Sequence, residues 1–334
     1  MRLGITPPIE VSGLAAAVDL CARAESLGYT DVWTAEVGAV DAFSPLAAVA
    51  MRTHRVRLGT GLVPVFTRPP ALTAMSAAGV QQLSGGRFVL GVGTSSPAIV
   101  GSWMGTPFER VVQRVREYVD VLRQILSGKK VSFRGETLRV DGFRLQVDPL
   151  HAVPIYLGAL GPKMCRLAGE IADGVLFFLM TPDGVRAAID EVKAGARSAG
   201  RDPDSIDVFI RLPVVVDESE ETVRFMARRL LTGYAIVPAY NASLARQGFG
   251  EEASAIAAAW ADGDRDLASS LFTDAMLDEL FVFGDASACR SRLAAYRDAG
   301  VITPVLMPLS FAGSPEERTE RVAMSVEALA PDAV

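Results

Sequence analysis

The sequence predicts a (β/α)8 barrel, and three observations carry that expectation. Short apolar strand-like segments alternate with helical ones along one continuous chain of 334 residues. Residues 56–97 read as strand, glycine-broken bend, helix and strand, a complete βαβ unit whose crossover must be right-handed. No stretch rich in Pro, Gly and Ser divides the chain, so 1–334 reads as a single domain rather than two.

Arg2–Thr6 is the first strand, followed by a helix over Ser12–Leu27 with Ser12 as N-cap, Gly28 as stop, and Leu14, Val18, Cys21 and Ala24 on one stripe. Asp31–Glu36 is the second strand and Phe43–Arg52 the second helix. Val56–Leu62 and Phe88–Val92 are strands three and four, joined by a helix that starts after Pro69 and stops at Ser84-Gly85-Gly86. Phe108–Leu126 is the clearest amphipathic helix, with Val115, Val119 and Leu122 facing inward. Polar and apolar residues then alternate around Gly135 and Gly142, which predicts an antiparallel insertion at about 128–152. Val153–Ala159, Gly174–Leu179, Ser205–Val216 and Ile302–Leu309 supply strands five to eight. Their helices are Lys163–Ile171, Pro182–Ala199, Gly284–Ala299 and Glu316–Leu329. A helical insertion at about 236–283 is either a lid over the barrel mouth or a surface for a second copy of the chain.

Half of the residues are apolar, yet no apolar run reaches the ~18–20 residues of a membrane span. The N-terminus lacks the apolar centre of a signal peptide, so a soluble cytoplasmic protein is expected. A net charge of −6 and a pI near 5.2 argue against nucleic-acid binding. Cys21, Cys165 and Cys289 form no CxxC pair, and His54 and His151 are the two histidines of the chain. Buried thiols are therefore expected, rather than a disulfide framework or a metal site.

Gly59 and Gly61 lie near the end of strand three, Gly91 and Gly93 near the end of strand four. Glycine weakens a strand unless it gains a kink or a close neighbour, so the pattern predicts a planar ligand lying against backbone there.

LGTGLVPVFTRPP followed by LSGGRFVLGVGTSSP resembles the bacterial luciferase-like superfamily, and more closely its branch of oxidoreductases that use the deazaflavin coenzyme F420. AESLGYTDVWTAE, REYVDVLRQILSGKKVSFRGE and VPIYLGALGPKMCRLAGEIADGVLFFLMTP extend the resemblance over nearly the whole chain, and it also guides the strand count. It implies a cofactor at the C-terminal ends of the strands, coenzyme F420 or alternatively FMN, and a small-molecule substrate. It also implies a homodimer. A non-prolyl cis bond at Gly61–Leu62 would support the ring, and Gly158, Ala159, Leu160, Gly161 and Pro162 would cradle a phosphate at a helix N-terminus.

Thr94, Ser95 and Ser96 either offer hydroxyls to the cofactor or cap the next segment. Many relatives carry an acid followed by histidine after strand two, whereas this chain has Glu36-Val37, which puts a histidine-dependent mechanism in doubt. Glu36, with Asp41 behind it, is the remaining acid/base candidate, the alternative being a capping or ion-paired carboxylate. Trp33 reads as core, Trp103 as a pocket-lining aromatic, and Arg68 as either a contact for an anionic cofactor tail or half of an ion pair. The resemblance leaves two functions besides the deazaflavin enzyme: an FMN-dependent monooxygenase, or a noncatalytic flavin-binding protein.

Overall fold

The computed structural model describes residues 2–331. Its strands are Gly4–Ile5 (β1), Asp31–Thr34 (β2), Arg57–Thr60 (β3), Val63–Pro64 (β4), Phe88–Gly93 (β5), Val131–Arg134 (β6), Arg139–Phe143 (β7), Ile155–Gly158 (β8), Gly174–Phe178 (β9), Asp207–Val216 (β10), Val282–Gly284 (β11) and Thr303–Pro308 (β12). Eight of them close a parallel ring in the order β1, β2, β3, β5, β8, β9, β10, β12, sealed by pairing of β12 with β1. This is the (β/α)8 barrel that the sequence predicts. The helices that matter below are Ile9–Ser26 (α1), Phe43–Ala50 (α2), Pro70–Leu83 (α3), Val111–Leu126 (α4), Pro162–Ile171 (α5) and Pro182–Ser198 (α6).

Two strata fill the barrel interior. Trp33, Val89, Tyr156, Leu176, Phe209 and Val305 form an apolar layer, in which the Trp33 and Phe209 rings lie 4.5 Å apart. Trp33 is therefore core. Beneath it, at the N-terminal end, the Arg57 guanidinium pairs with Asp31 at 2.5 Å and Asp207 at 2.7 Å. It also donates to the Tyr156 hydroxyl and Thr303 Oγ1, so one side chain links five strands.

Several boundaries differ from the sequence expectation, each for a local reason. The first helix starts at Ile9 and kinks at Gly13 (φ 73°), and Ser12 Oγ is buried without a partner instead of capping. Strand three ends at Thr60, and the chain resumes as β4, which pairs with β5. The fourth helix begins only at Val111, because Arg110 is left-handed (φ 50°). Residues 282–284 form a strand that prolongs the β10 edge, and the helix expected from Gly284 starts at Ala286 (Ala286–Asp298), capped by Asp285.

The strand-end glycines serve the chain's own packing. A Cβ on Gly59 would lie 2.2 Å from the Trp33 ring, and one on Gly91 would lie 1.8 Å from the Thr60 carbonyl oxygen. Thr60 Oγ1 donates to the Gly91 carbonyl and accepts its N–H, both at 2.8 Å, so the two strands meet too closely for a side chain.

β6 and β7 form the antiparallel hairpin expected of the first insertion. Its anchor is Glu117 on α4, whose carboxylate accepts from the backbone N–H of Glu136, Thr137 and Leu138 and from Thr137 Oγ1. Burial raises its pKa, but these hydrogen bonds outweigh that and hold it down at about 2. Because the folded value is depressed, the stabilisation is present above the ordinary carboxylate value and is lost as pH falls from about 4.5 towards 2. Glu117→Ala, which strands three backbone donors, should cost about 3 kcal/mol in urea unfolding at pH 7 and much less near pH 2.

The second insertion packs four helices (Pro238–Arg246, Gly250–Ala261, Arg265–Ser270 and Asp274–Leu280) against Glu220–Ala235. Their shared apolar cluster includes Phe178, Leu179 and Val215, and Met307 and Leu309 pack against it. The insertion therefore rests on the C-terminal ends of β9, β10 and β12. Among the described residues, no helix is long and apolar enough to cross a membrane.

Candidate active site at the barrel mouth

The centre of the mouth is the break between β3 and β4, where the Gly61–Leu62 peptide is cis. Two hydrogen bonds tie it to the neighbouring strand: Gly61 N–H donates to the Thr34 carbonyl at 2.5 Å, and Glu36 N–H donates to the Leu62 carbonyl at 3.0 Å. The Leu62 side chain packs down on the Trp33 layer. A Cβ on either Gly93 or Gly158 would come within 2.4 Å of Leu62 Cδ2, so those glycines make room for this side chain. The Leu62 side chain therefore occupies the space beside Gly93 and Gly158.

Glu36 stands beside this floor. Its Oε2 accepts from Arg68 Nη1 at 3.0 Å and from Ala42 N–H at 3.3 Å. Arg68 in turn lies over the Phe43 ring and donates to Ser76 Oγ, so of its two readings the ion pair is the one found. Asp41 is used differently. Its Oδ1 accepts from the N–H groups of Phe43 and Ser44, which would otherwise be free at the start of α2. Burial raises its pKa, but the bonds from Ser44 and Phe43 and the charge of Arg68 outweigh that and leave it below the usual carboxylate range. His54 and His151 lie elsewhere: His54 N–H meets Glu25 ahead of β3, and the His151 ring packs on Gly86 ahead of β5, both at the opposite end of the barrel.

Beyond β5, Thr94 Oγ1 donates to the Ser95 carbonyl at 3.3 Å, and Ser96 Oγ accepts from Ile99 N–H, so Ser96 caps the segment that follows. Ser95 is left-handed (φ 61°), a conformation that non-glycine residues adopt mostly where surrounding structure enforces it. Trp103 ends a π-helical turn, is 62% exposed, and lies within van der Waals distance of where a Gly38 side chain would begin, on the Glu36 side of the mouth.

Gly158, Ala159, Leu160, Gly161 and Pro162 lead from β8 into α5. Gly161 takes the N-cap position with extended backbone and no side-chain cap, so the helix N-terminus is uncovered. A Cβ there would meet only Arg246 Nη2, at 3.6 Å, and Arg246 also donates to the Leu160 carbonyl at 3.0 Å. Exposed Lys163 adds a second cation. An uncapped helix start with two cations favours an anion. Gly161 is three residues beyond Gly158, hence within about 10 Å of the Leu62 side chain's surroundings.

One side chain at the mouth escaped the sequence reading. Arg211 stands two residues beyond inward-facing Phe209 on β10, shares its face and so points into the barrel one layer above it, in register with Phe178 and Val305. Its guanidinium lies 4.9 Å from the Phe178 ring centroid. Phe178 forms an edge-to-face trio with Tyr234 (4.9 Å) and Tyr240 (6.0 Å). The available signal was a lone charge in the inward register of an otherwise apolar strand, VFIRLPVVV.

Among the described residues, no group of three or more His, Cys, Asp or Glu is arranged to hold a metal ion. The three cysteines are buried and unbridged, and burial pushes the Cys165 and Cys289 thiols up to about 12.

A family model for luciferase-like monooxygenases matches residues 1–303. The chain belongs to the luciferase-like family. Among curated proteins, it is similar to the 5,10-methylenetetrahydromethanopterin reductase of Methanolobus tindarius, 34% identical over 295 residues that cover 87% of this chain and 88% of that one. Among solved structures, it is similar to the coenzyme F420-dependent tetrahydromethanopterin reductase of Methanopyrus kandleri. That match has a TM-score of 0.80 and 25% identity, and covers 98% of this chain and 97% of that one. The oxygenating constituent of 3,6-diketocamphane monooxygenase from Pseudomonas putida, solved with FMN, shares the fold at a TM-score of 0.68 and 17% identity, with 99% and 97% covered. The luciferase-like chain is an oxidoreductase of this superfamily, as its sequence blocks implied.

Proposed function

We propose that this luciferase-like protein uses coenzyme F420 to transfer a hydride to or from a small organic substrate at the barrel mouth. The observation that carries the reading is the Gly61–Leu62 bulge and the uncapped N-terminus of α5 on one rim, a short ribityl-length reach apart. The bulge backbone suits the face of a tricyclic ring, and the N–H groups at the start of α5 suit its phosphate. Lys163 and Arg246 suit the further anionic tail that F420 carries and FMN lacks. Similarity to F420-dependent reductases at higher identity than to FMN-dependent proteins supports the same choice.

When bound, the deazaflavin supplies the hydride chemistry, and the protein supplies orientation and a proton site. Thr94 and Ser95 reach the cofactor edge from β5, and Trp103 shields the mouth from water on the Glu36 side. Glu36 keeps its Oε2 in the Arg68 pair and leaves Oε1 as the acid/base candidate beside the bulge; Asp41 serves α2. With an accepted substrate in hand, Glu36→Gln should lower kcat by about 100-fold and change cofactor Kd less than about twofold. Equal loss in both would assign Glu36 to binding.

Titration of the protein with F420 and with FMN, followed by tryptophan fluorescence, tests the cofactor choice. Saturable F420 binding with far weaker FMN binding is expected. The reverse selects the FMN-dependent monooxygenase, and binding without turnover of any substrate selects a flavin carrier.

The reading includes a homodimer. Leu72, Met75 and Leu83 form one exposed apolar stripe on α3, each close to half exposed. Light scattering should give a dimer for the wild type and a monomer for Met75→Glu; a monomeric wild type would contradict this.

A further inference from the structure

We infer that the substrate carries an oxyanionic group, carboxylate or phosphate, and that Arg211 is its anchor. The inference rests on the mouth being the reaction site, as proposed above. Around the ring, β10 stands four strands from β3, directly across the axis, so Arg211 stands on the wall opposite the Gly61–Leu62 bulge. Whatever lies on the bulge has its other face turned to that wall.

Its guanidinium donates no hydrogen bond to and makes no ion pair with any described residue. Its companions in the barrel contrast with this: Arg57 is saturated by two carboxylates, and Arg68 is paired with Glu36. A half-buried guanidinium supported only by an aromatic face keeps its donor fork free, the geometry that binds carboxylate or phosphate oxygens in pairs. The rings that face it from the packed elements are Phe178, Tyr234 and Tyr240, none of them a carboxylate. Tyr240 is held neutral by burial, with Tyr234 adding to the upward shift and the Arg211 charge opposing it. The trio forms an apolar wall beside the cation, suited to a flat carbon skeleton bearing the anion.

The probes are benzoate and phenyl phosphate, with benzamide as the uncharged isostere of benzoate. Each is titrated by calorimetry into F420-loaded wild type, Arg211→Lys and Arg211→Gln, and F420 affinity is measured separately for all three. The expected result is that at least one anion binds wild type ten times or more tighter than benzamide. Arg211→Gln should lose that preference, and Arg211→Lys, which keeps the charge without the fork, should retain part of it. F420 affinity should be unchanged throughout. Which anion binds better tells carboxylate from phosphate. Failure of both anions to bind wild type, equal binding of benzoate and benzamide, or undiminished anion binding in Arg211→Gln overturns the inference. Loss of F420 binding by wild type overturns the cofactor reading instead, and the two failures are read on separate titrations.

Discussion

Gly161→Asp is expected to fold at least as well as the wild type and to bind F420 about 100-fold more weakly. The backbone at Gly161 is already extended, and a new Cβ meets only Arg246 at ordinary contact distance, so the substitution fits without strain. Aspartate is among the best N-cap residues, a few tenths of a kcal/mol better than glycine, so the melting temperature should hold or rise slightly. The same carboxylate would occupy the free N–H groups at the start of α5, pair with Arg246 and repel a phosphate. Losing charge-assisted hydrogen bonds of about 1.5–3 kcal/mol there corresponds to the expected fall in affinity. Thermal melting and cofactor titration measured together separate this from unfolding. Unaltered affinity in a well-folded variant would remove the phosphate from α5.

Arg57→Met carries the largest expected cost in stability, about 3–5 kcal/mol, because it leaves the carboxylates of Asp31 and Asp207 facing each other's surroundings without their shared cation. Methionine keeps the length of the stem and gives up both the charge and the guanidinium's position over the Trp33 and Tyr156 rings. Burial raises the Asp207 pKa, but hydrogen bonds from Arg57 and Tyr156 and the charges of Arg57 and Arg2 outweigh it and depress the folded value. A depressed carboxylate stabilises the fold above its ordinary pKa and stops doing so as pH falls through the folded value. Wild type should therefore lose this contribution on acidification, whereas Arg57→Met, having little of it, should show a flatter decline. Urea midpoints at pH 7 and near pH 2 measure both effects, and an unchanged m-value would confirm that the fold is the same. A midpoint equal to wild type at pH 7 would mean that the base cluster does not hold the barrel closed.

The barrel was legible because its signals are local: β-branched strands, helix stops such as Ser84-Gly85-Gly86, and the amphipathic face of α4 all sit within one element. The glycine signal was legible as a position but not as a cause. That Gly93 and Gly158 share Leu62 as neighbour, and that Gly59 admits Trp33, are contacts between strands that no single stretch encodes. The Gly61–Leu62 bond came from resemblance, since nothing in a Gly-Leu pair asks for it. Glu36 was legible as a carboxylate after β2, but its partner Arg68 is 32 positions away, and only closure of the barrel brings them together. Asp41 shows the same limit, because a carboxylate that fills helix-start donors and one that exchanges protons read alike in sequence. Arg211 was overlooked because the strand containing it was read for its apolar run, not for the register of its one cation.

The central claim is that the cofactor lies across the bulge with its phosphate at α5. Hydrogen–deuterium exchange on the full chain, with and without saturating F420, tests it most directly. Slower exchange is expected in the peptides spanning 60–66, 93–97 and 158–166, with the base of the barrel around Arg57 unaffected. Cofactor bound at saturation with those three segments unchanged, or with protection confined to other parts of the chain, would contradict the account.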